Sequence, residues 1–160
     1  MKKGILGHLV IIAVLGATSC RTRTENVMKK IDIKQIGLRF IIPENWKHRY
    51  FDYTLHNVVP PHLEISDNFT TNHILFNSQS GKMEVELSED GFWISVSKLG
   101  KIADGELYPS GNNEYIVSVD DPENWILQNS LLGIRIDIRR ADHSHDSEFD
   151  EFLGSISRMP

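Results

Sequence analysis

From Ile31 onward the chain is dominated by alternation of apolar and polar positions, a period that predicts β-strands. Ile31 and Ile33 alternate with Asp32 and Lys34, and Leu38, Phe40 and Ile42 alternate with Arg39 and Ile41. The phase shifts between Ile33 and Leu38, so a bulge or bend is expected near Gly37, and Pro43 should stop the strand. Residues 55–70 read as a loop-rich excursion with one short strand at Leu63-Glu64-Ile65, and whether the 55–72 loop forms a pocket is left open. Asn72–Ser78 is a short apolar strand with Ile74 and Phe76 in phase, followed by a turn at Gln79-Ser80-Gly81. Met83, Val85 and Leu87 alternate next, then Phe92, Ile94 and Val96. Between them Asp90-Gly91 is a two-residue turn signal. That turn predicts a hairpin pairing Leu87 with Ile94 and Val85 with Val96, apolar on apolar.

Residues 99–113 hold Gly100, Gly105, Pro109, Gly111 and the Asn112-Asn113 pair, and read as a connection with at most a turn of helix. Tyr115, Val117 and Val119 form a further alternating strand. So do Leu132, Ile134, Ile136 and Ile138, with Arg135, Asp137 and Arg139 pointing outward. The period then changes to that of a helix. Phe149, Phe152, Leu153 and Ile156 fall at i, i+3, i+4 and i+7, one helical face. Ser147 or Asp146 is placed to cap it, and Glu148, Asp150 and Glu151 suit its positive N-terminal end. The expected fold is α+β: an antiparallel β-sheet of about five to seven strands with the C-terminal helix packed on one face. Pro-Glu-Asn-Trp occurs at Pro43–Trp46 and at Pro122–Trp125, with unlike flanks. Local chemistry explains the recurrence: the proline fixes a turn and the tryptophan returns to the core.

The first twenty residues follow a different pattern. Met1-Lys2-Lys3 is a short positive start, Gly4–Thr18 is almost entirely apolar or small, and a polar run begins at Arg21. This is the three-part layout of a secretory signal. As a helix the apolar run would reach about 22 Å, short of the roughly 30 Å of a bilayer core, which favours cleavage over a permanent span. Its end, Leu15-Gly16-Ala17-Thr18-Ser19-Cys20, resembles the lipobox of bacterial lipoproteins. The resemblance implies that residues 1–19 are a signal peptide and that Cys20 becomes the N-terminus and carries diacylglycerol. With Cys20 as the anchor, the polar, aperiodic run that follows reads as a lipid-anchored tether over residues 20–30, and the strand pattern from Ile31 onward as one domain over residues 31–160. Arg21, rather than Asp, implies sorting to the outer membrane, facing the periplasm.

Composition narrows the classes. The chain has 160 residues, 40% hydrophobic and 24% charged, which fits one globular domain rather than a disordered chain. Its net charge of −5 argues against nucleic acid as a partner. Without Lys2 and Lys3 it carries 15 basic and 22 acidic residues, net −7. The only cysteine is Cys20, so no intramolecular disulfide and no multi-cysteine metal site can form.

A second resemblance, to PsbP/DcrB-like domains, rests on two short segments. One is the strand entering a Pro-x-x-Trp turn, Phe40-Ile41-Ile42-Pro43-Glu44-Asn45-Trp46-Lys47. The other is the closing helix Phe149-Asp150-Glu151-Phe152-Leu153-Gly154-Ser155-Ile156. It implies a fold of that kind and an accessory role.

Candidate chemistry is sparse. Asp142-His143-Ser144-His145-Asp146 is the only cluster of potential metal ligands, and His143 and His145 would need a third ligand from elsewhere. The competing reading is a solvated loop leading into the helix. His48, His56, His62 and His73 are scattered among apolar and aromatic residues. No nucleophile elbow and no glycine-rich phosphate loop appears, and no cofactor is implied. These features disfavour an enzyme. Trp93 is out of phase with Phe92, Ile94 and Val96, so it points to the polar side, where a tryptophan can anchor a partner unless another element covers it. Trp46, Arg49 and Tyr50 lie in an aromatic and basic stretch (46–53) that can stack on sugars or peptides.

The first reading is a lipid-anchored cell-envelope protein, held to the membrane through Cys20, with a non-enzymatic accessory or protein-binding role. An immunity-type role suits its size and acidity. The alternatives are a metal-binding protein or periplasmic metal-dependent hydrolase using His143 and His145, and a cell-wall or carbohydrate-binding module.

Overall fold

The computed structural model describes residues 27–52, 61–77, 79, 82–121 and 123–160. The signal segment, Cys20 and residues 53–60, His56 among them, lie outside the described residues. The strands are β1 (Met28–Ile33), β2 (Leu38–Pro43), β3 (Lys47–Phe51), β4 (His62–Ser66), β5 (His73–Asn77) and β6 (Lys82–Glu86). They continue with β7 (Phe92–Lys98), β8 (Glu106–Ser110), β9 (Asn113–Asp120), β10 (Asn124–Asn129) and β11 (Ile134–Arg140). Helix α1 (Asp146–Ser155) and the two-residue β12 (Ser157–Arg158) close the chain. The main sheet is seven-stranded and antiparallel, in the order β3-β4-β7-β11-β10-β9-β8. A small sheet, β1-β2-β12, and the β5-β6 hairpin complete the topology. The fold is α+β, with the one helix among the described residues at the C-terminal end.

The core lies between the main sheet, the helix and the small sheet. Leu63, Ile65, Ile94, Val96, Leu127, Ile136 and Ile138 point inward from the main sheet, and Leu38, Phe40 and Ile42 from β2. Phe149, Phe152 and Leu153, the helical face read from the sequence, are fully buried. Each contributes roughly 1.5–3 kcal/mol by leaving water. Trp46 joins the layers, its ring 4.4 Å from Phe92 and 5.7 Å from Phe149. Both tryptophans of the repeated tetrapeptide return to this core, through different turns. Trp46 N–H donates to Pro43 O, whereas the Asp121 carboxylate accepts from the backbone of Glu123 and Asn124.

The helix is held down by the β8-β9 hairpin. Tyr115 Oη donates to Leu153 O at 2.7 Å, and Asn113 Nδ2 donates to Leu153 O and Ile156 O, satisfying carbonyls at the helix end. Gly111 turns the hairpin at φ +56°, and a Cβ there would sit 2.8 Å from Gly154 Cα, so glycine meets both a left-handed backbone and a close approach.

Several expectations change. The phase shift near Gly37 is a full reversal between two strands, with Gly37 at φ +64°. β1 begins at Met28, so residues 28–30, read as the end of the tether, pair with Ile41–Pro43 of β2. The connection read over 99–113 contains β8 instead. That strand tolerates Pro109 because it lies at the sheet edge, where no ladder donor is lost. Leu132 lies in a turn, and its strand begins at Ile134. The helix N-cap is His145, with no side-chain cap. Asp146, one of the expected caps, accepts from Arg140 Nη1 and pairs with His143 instead.

The Asp90-Gly91 hairpin does not form. β6 pairs with β5, placing Val85 opposite Ile74, while β7 enters the main sheet. There Ile94 lies between Ile65 and Ile138, and Val96 between Leu63 and Ile136. β7 has two edges, and β4 and β11 fill both, so that Ile94 and Val96 are flanked by apolar side chains on either side.

Tyrosines at the helix contact set an alkaline limit on stability. Burial, followed by the hydrogen bond to Asp150, pushes the Tyr108 hydroxyl up to about 12, and burial also raises that of Tyr115. A raised folded-state value means stability that is complete below the ordinary value near 10 and is lost as pH climbs through the folded value. The melting temperature is therefore expected to fall from about pH 10 upward. Tyr115→Phe should cost about 1 kcal/mol at neutral pH and flatten that alkaline decline, as read by thermal melts from pH 8 to 12. An unchanged alkaline slope in the variant would count against this assignment.

Candidate functional site

Strand alternation sends one set of side chains into the core and the other to the opposite face of the main sheet. The register aligns this second set across the strands. Phe51, His62, Ser97, Arg135, Gln128, Ile116 and Leu107 form one row. Arg49, Glu64, Ser95, Asp137 and Ile126 form the next, and Lys47, Ser66, Trp93, Arg139 and Asn124 a third. This face, away from the helix, is the candidate site.

Its β3-β4-β7 end is a charged and aromatic cluster. Arg49 Nε donates to Glu64 Oε2 at 2.6 Å, and His62 Nε2 lies 3.0 Å from Glu64 Oε1. Glu64 is 3% exposed and His62 8%. A carboxylate this deep is costly unless paired, and here both its oxygens have partners. The Arg49 guanidinium also lies 4.1 Å from the Phe69 ring centroid, 5.1 Å from Phe51 and 5.3 Å from Trp93, within cation–π range. Phe51 stacks on His62. Buried Ser66 donates to Phe92 O below this cluster.

The middle of the face is exposed and charged. Arg135 Nε and Nη2 donate to the two carboxylate oxygens of Asp137, a planar bidentate pair. Arg139 is exposed and makes no ion pair among the described residues. Toward β8 the face becomes apolar, with Leu107 66% exposed and Ile116 and Ile126 half-buried. Gln128 is buried there, accepting from Ala103 N.

The residues singled out from the sequence are only partly gathered here. Arg49 belongs to the cluster. Trp93 faces the expected side but is 1% exposed, covered by Phe69, whose ring packs edge-on at 5.2 Å, and by Arg49. It is a floor of the face, not an exposed anchor. Trp46 is core, and Tyr50 is half-buried against the core. Tyr50 points away from Arg49 because successive residues of β3 face opposite sides, and Trp46 precedes that strand and packs on Phe92 and Phe149. Glu64, His62 and Phe69 were not singled out. The only signal for His62 and Glu64 was the polar alternation His62, Glu64, Ser66 across Leu63 and Ile65, and Phe69 lies in the turn beyond it.

At the start of the helix, His143 Nδ1 lies 2.8 Å from Asp146 Oδ2, and Asp142 Oδ1 accepts from Ser144 N and Oγ, which holds that carboxyl below its usual range. His145 instead turns inward, its ring 4.9 Å from Phe92 and 6.1 Å from Phe149. The two histidines thus serve different environments. Among the described residues no group of three or more His, Cys, Asp and Glu side chains gathers as metal ligands would. No described helix is long and apolar enough to cross a membrane.

Comparison of the chain with protein-family models, with curated proteins and with solved structures finds no match in any of the three.

Proposed function

We propose that this chain is a non-enzymatic, protein-binding domain, anchored to a cell-envelope membrane by acyl chains on Cys20, with the helix-free face of its main sheet as the binding surface. One observation carries the reading: the two faces of the sheet are built for different neighbours. The inner face is apolar and sealed by the helix and the small sheet. The other face sets Arg139 and the Arg135–Asp137 pair beside an apolar area at Leu107, Ile116 and Ile126. Arginine beside aliphatic side chains, rimmed by polar groups, is the composition of a protein interface. Arg139 suits a partner that presents a carboxylate next to an apolar side chain.

The anchor fits the start of the fold. Between Cys20 and Met28 the chain spans at most roughly 29 Å when extended, so a lipid on Cys20 would keep the domain close to the bilayer surface. Acyl chains would hold it there, each buried CH₂ adding about 0.8 kcal/mol.

Two measurements test the reading. The mass of the N-terminal peptide from the membrane fraction should show diacylglyceryl on Cys20, with Cys20→Ala unprocessed, and an unmodified Cys20 would remove the anchor. A photo-crosslinking residue at Leu107 or at Arg139 should give a discrete protein adduct in intact cells, and one at Glu151 on the exposed helix surface should not. Equal yields at all three positions, or none, would remove the binding face.

A further inference from the structure

A cleft of about 320 Å³ opens at one end of the molecule, where four separate segments converge. Gln35 and Ile36 come from the β1-β2 turn. Lys98 comes from the end of β7, and Leu132 and Ile134 from the turn into β11. Arg158 comes from β12. We propose that this cleft binds a small organic carboxylate with a short hydrocarbon body. The inference stands independently of the protein-binding face.

Charge is the first argument. The chain carries more acidic than basic residues, yet no residue lining this cleft is acidic, and two are basic. The Lys98 ammonium makes no ion pair or hydrogen bond among the described residues. Arg158 Nη2 donates to Leu132 O at 2.7 Å, which fixes the guanidinium at the cleft wall. Its remaining N–H groups have no partner among the described residues. A planar fork and a mobile point charge on one small cavity suit a single carboxylate.

Shape and apolarity are the second argument. Ile36, Leu132 and Ile134 give the cleft an aliphatic lining, and its volume lies at the lower end of the range for small-molecule sites. Inorganic anions would leave that surface unused, and a neutral hydrocarbon would leave the two cations unused. The Gln35 amide adds one polar group for orientation.

Rigidity is the third argument. Leu99 N donates to Gly133 O, tying the end of β7 to the turn into β11, and Met159 N donates to Gly37 O, tying the C-terminal segment to the β1-β2 turn. The walls are held before a ligand arrives, which lowers the ordering cost of binding.

The test is an amide-shift titration of the full chain with 4-methylpentanoate, beside its neutral isostere 4-methylpentanamide. Saturable shifts centred on Gln35, Lys98 and Gly133 are expected with the carboxylate, and binding about tenfold weaker with the amide. Lys98→Glu places a carboxylate at an exposed position and should also weaken carboxylate binding by about tenfold, while Lys98→Arg retains it. Thermal melts confirm that both variants remain folded, and Lys98→Met replaces Lys98→Glu if it does not. Non-saturating shifts, shifts centred elsewhere, equal binding of the amide, or wild-type binding by the folded charge variant would each overturn the proposal.

Discussion

Arg49→Ala is expected to destabilise the domain by about 3 kcal/mol, although Arg49 lies toward the surface. Its partner sets the cost. The side chain of Arg49 is 43% exposed, whereas that of Glu64 is 4% exposed. Truncating the arginine leaves the carboxylate buried beside His62, at 3.0 Å. Removing one member of a buried pair costs about 3–5 kcal/mol, because the other charge stays behind. The half-exposed side of Arg49 places the expected value at the low end. Lost packing adds to it, since the guanidinium covers the rings of Phe69 and Trp93. Two controls separate these terms. Arg49→Lys keeps the charge but not the planar fork, and should fall between wild type and alanine. Arg49→Ala combined with Glu64→Leu removes both charges and should recover part of the loss, since an apolar pair in place of a buried ion pair is often neutral. Urea unfolding at constant slope gives the comparison. An Arg49→Ala value within about 0.5 kcal/mol of wild type would show that Glu64 does not depend on Arg49.

How much of this was legible in the sequence follows from the range of each interaction. The local period was readable wherever one face is buried, as in β2, β7, β11 and the helix. Strands whose residues break the expected chemistry were not. β3 carries Lys47, His48 and Arg49 at the sheet edge. β8 carries Pro109, also at an edge. β10 buries Gln128 and Asn129, amides that read as loop. Pairing was less readable still. The Asp90-Gly91 turn and its apolar alternation argued for a local hairpin, but β4 and β11 compete for β7 from far along the chain, and period alone cannot rank them. The candidate face shows the same division. The outward phase of Trp93 was legible, but which element covers it was not, because Phe69 and Arg49 reach it from other segments. The Arg49–Glu64–His62 cluster joins two strands on either side of residues 53–60, and no spacing rule links its members.

Gly91→Ala should be similarly disruptive, at about 3 kcal/mol, for a reason that is steric rather than conformational. A Cβ at this position would overlap Asn72 Oδ1 and would lie 2.5 Å from Ser88 Oγ and 2.8 Å from Asn72 Nδ2. Asn72 cannot retreat cheaply. It is fully buried, its Oδ1 accepts from Ser88 N and Oγ, and its Nδ2 donates to Ser66 Oγ, Asp67 Oδ1 and Phe92 O. Either the methyl overpacks the node, or the amide is driven out and buried donors and acceptors lose their partners at about 1–3 kcal/mol each. Asn72 links the loop after β4 to the start of β7, and so ties the β5-β6 hairpin to the main sheet. The decisive comparison is the double variant. Asn72→Ala alone should cost about 2–3 kcal/mol, but it removes the amide and frees Ser88 Oγ, which donates to Asn72 Oδ1, to rotate away from a methyl at position 91. Adding Gly91→Ala to it should then cost less than about 0.5 kcal/mol, a strongly non-additive cycle. Additive penalties would mean that Gly91 is required for its backbone and not for its closeness to Asn72. The contact between these two residues would then not explain why the chain separates β6 from β7 at a sequence so well suited to a hairpin.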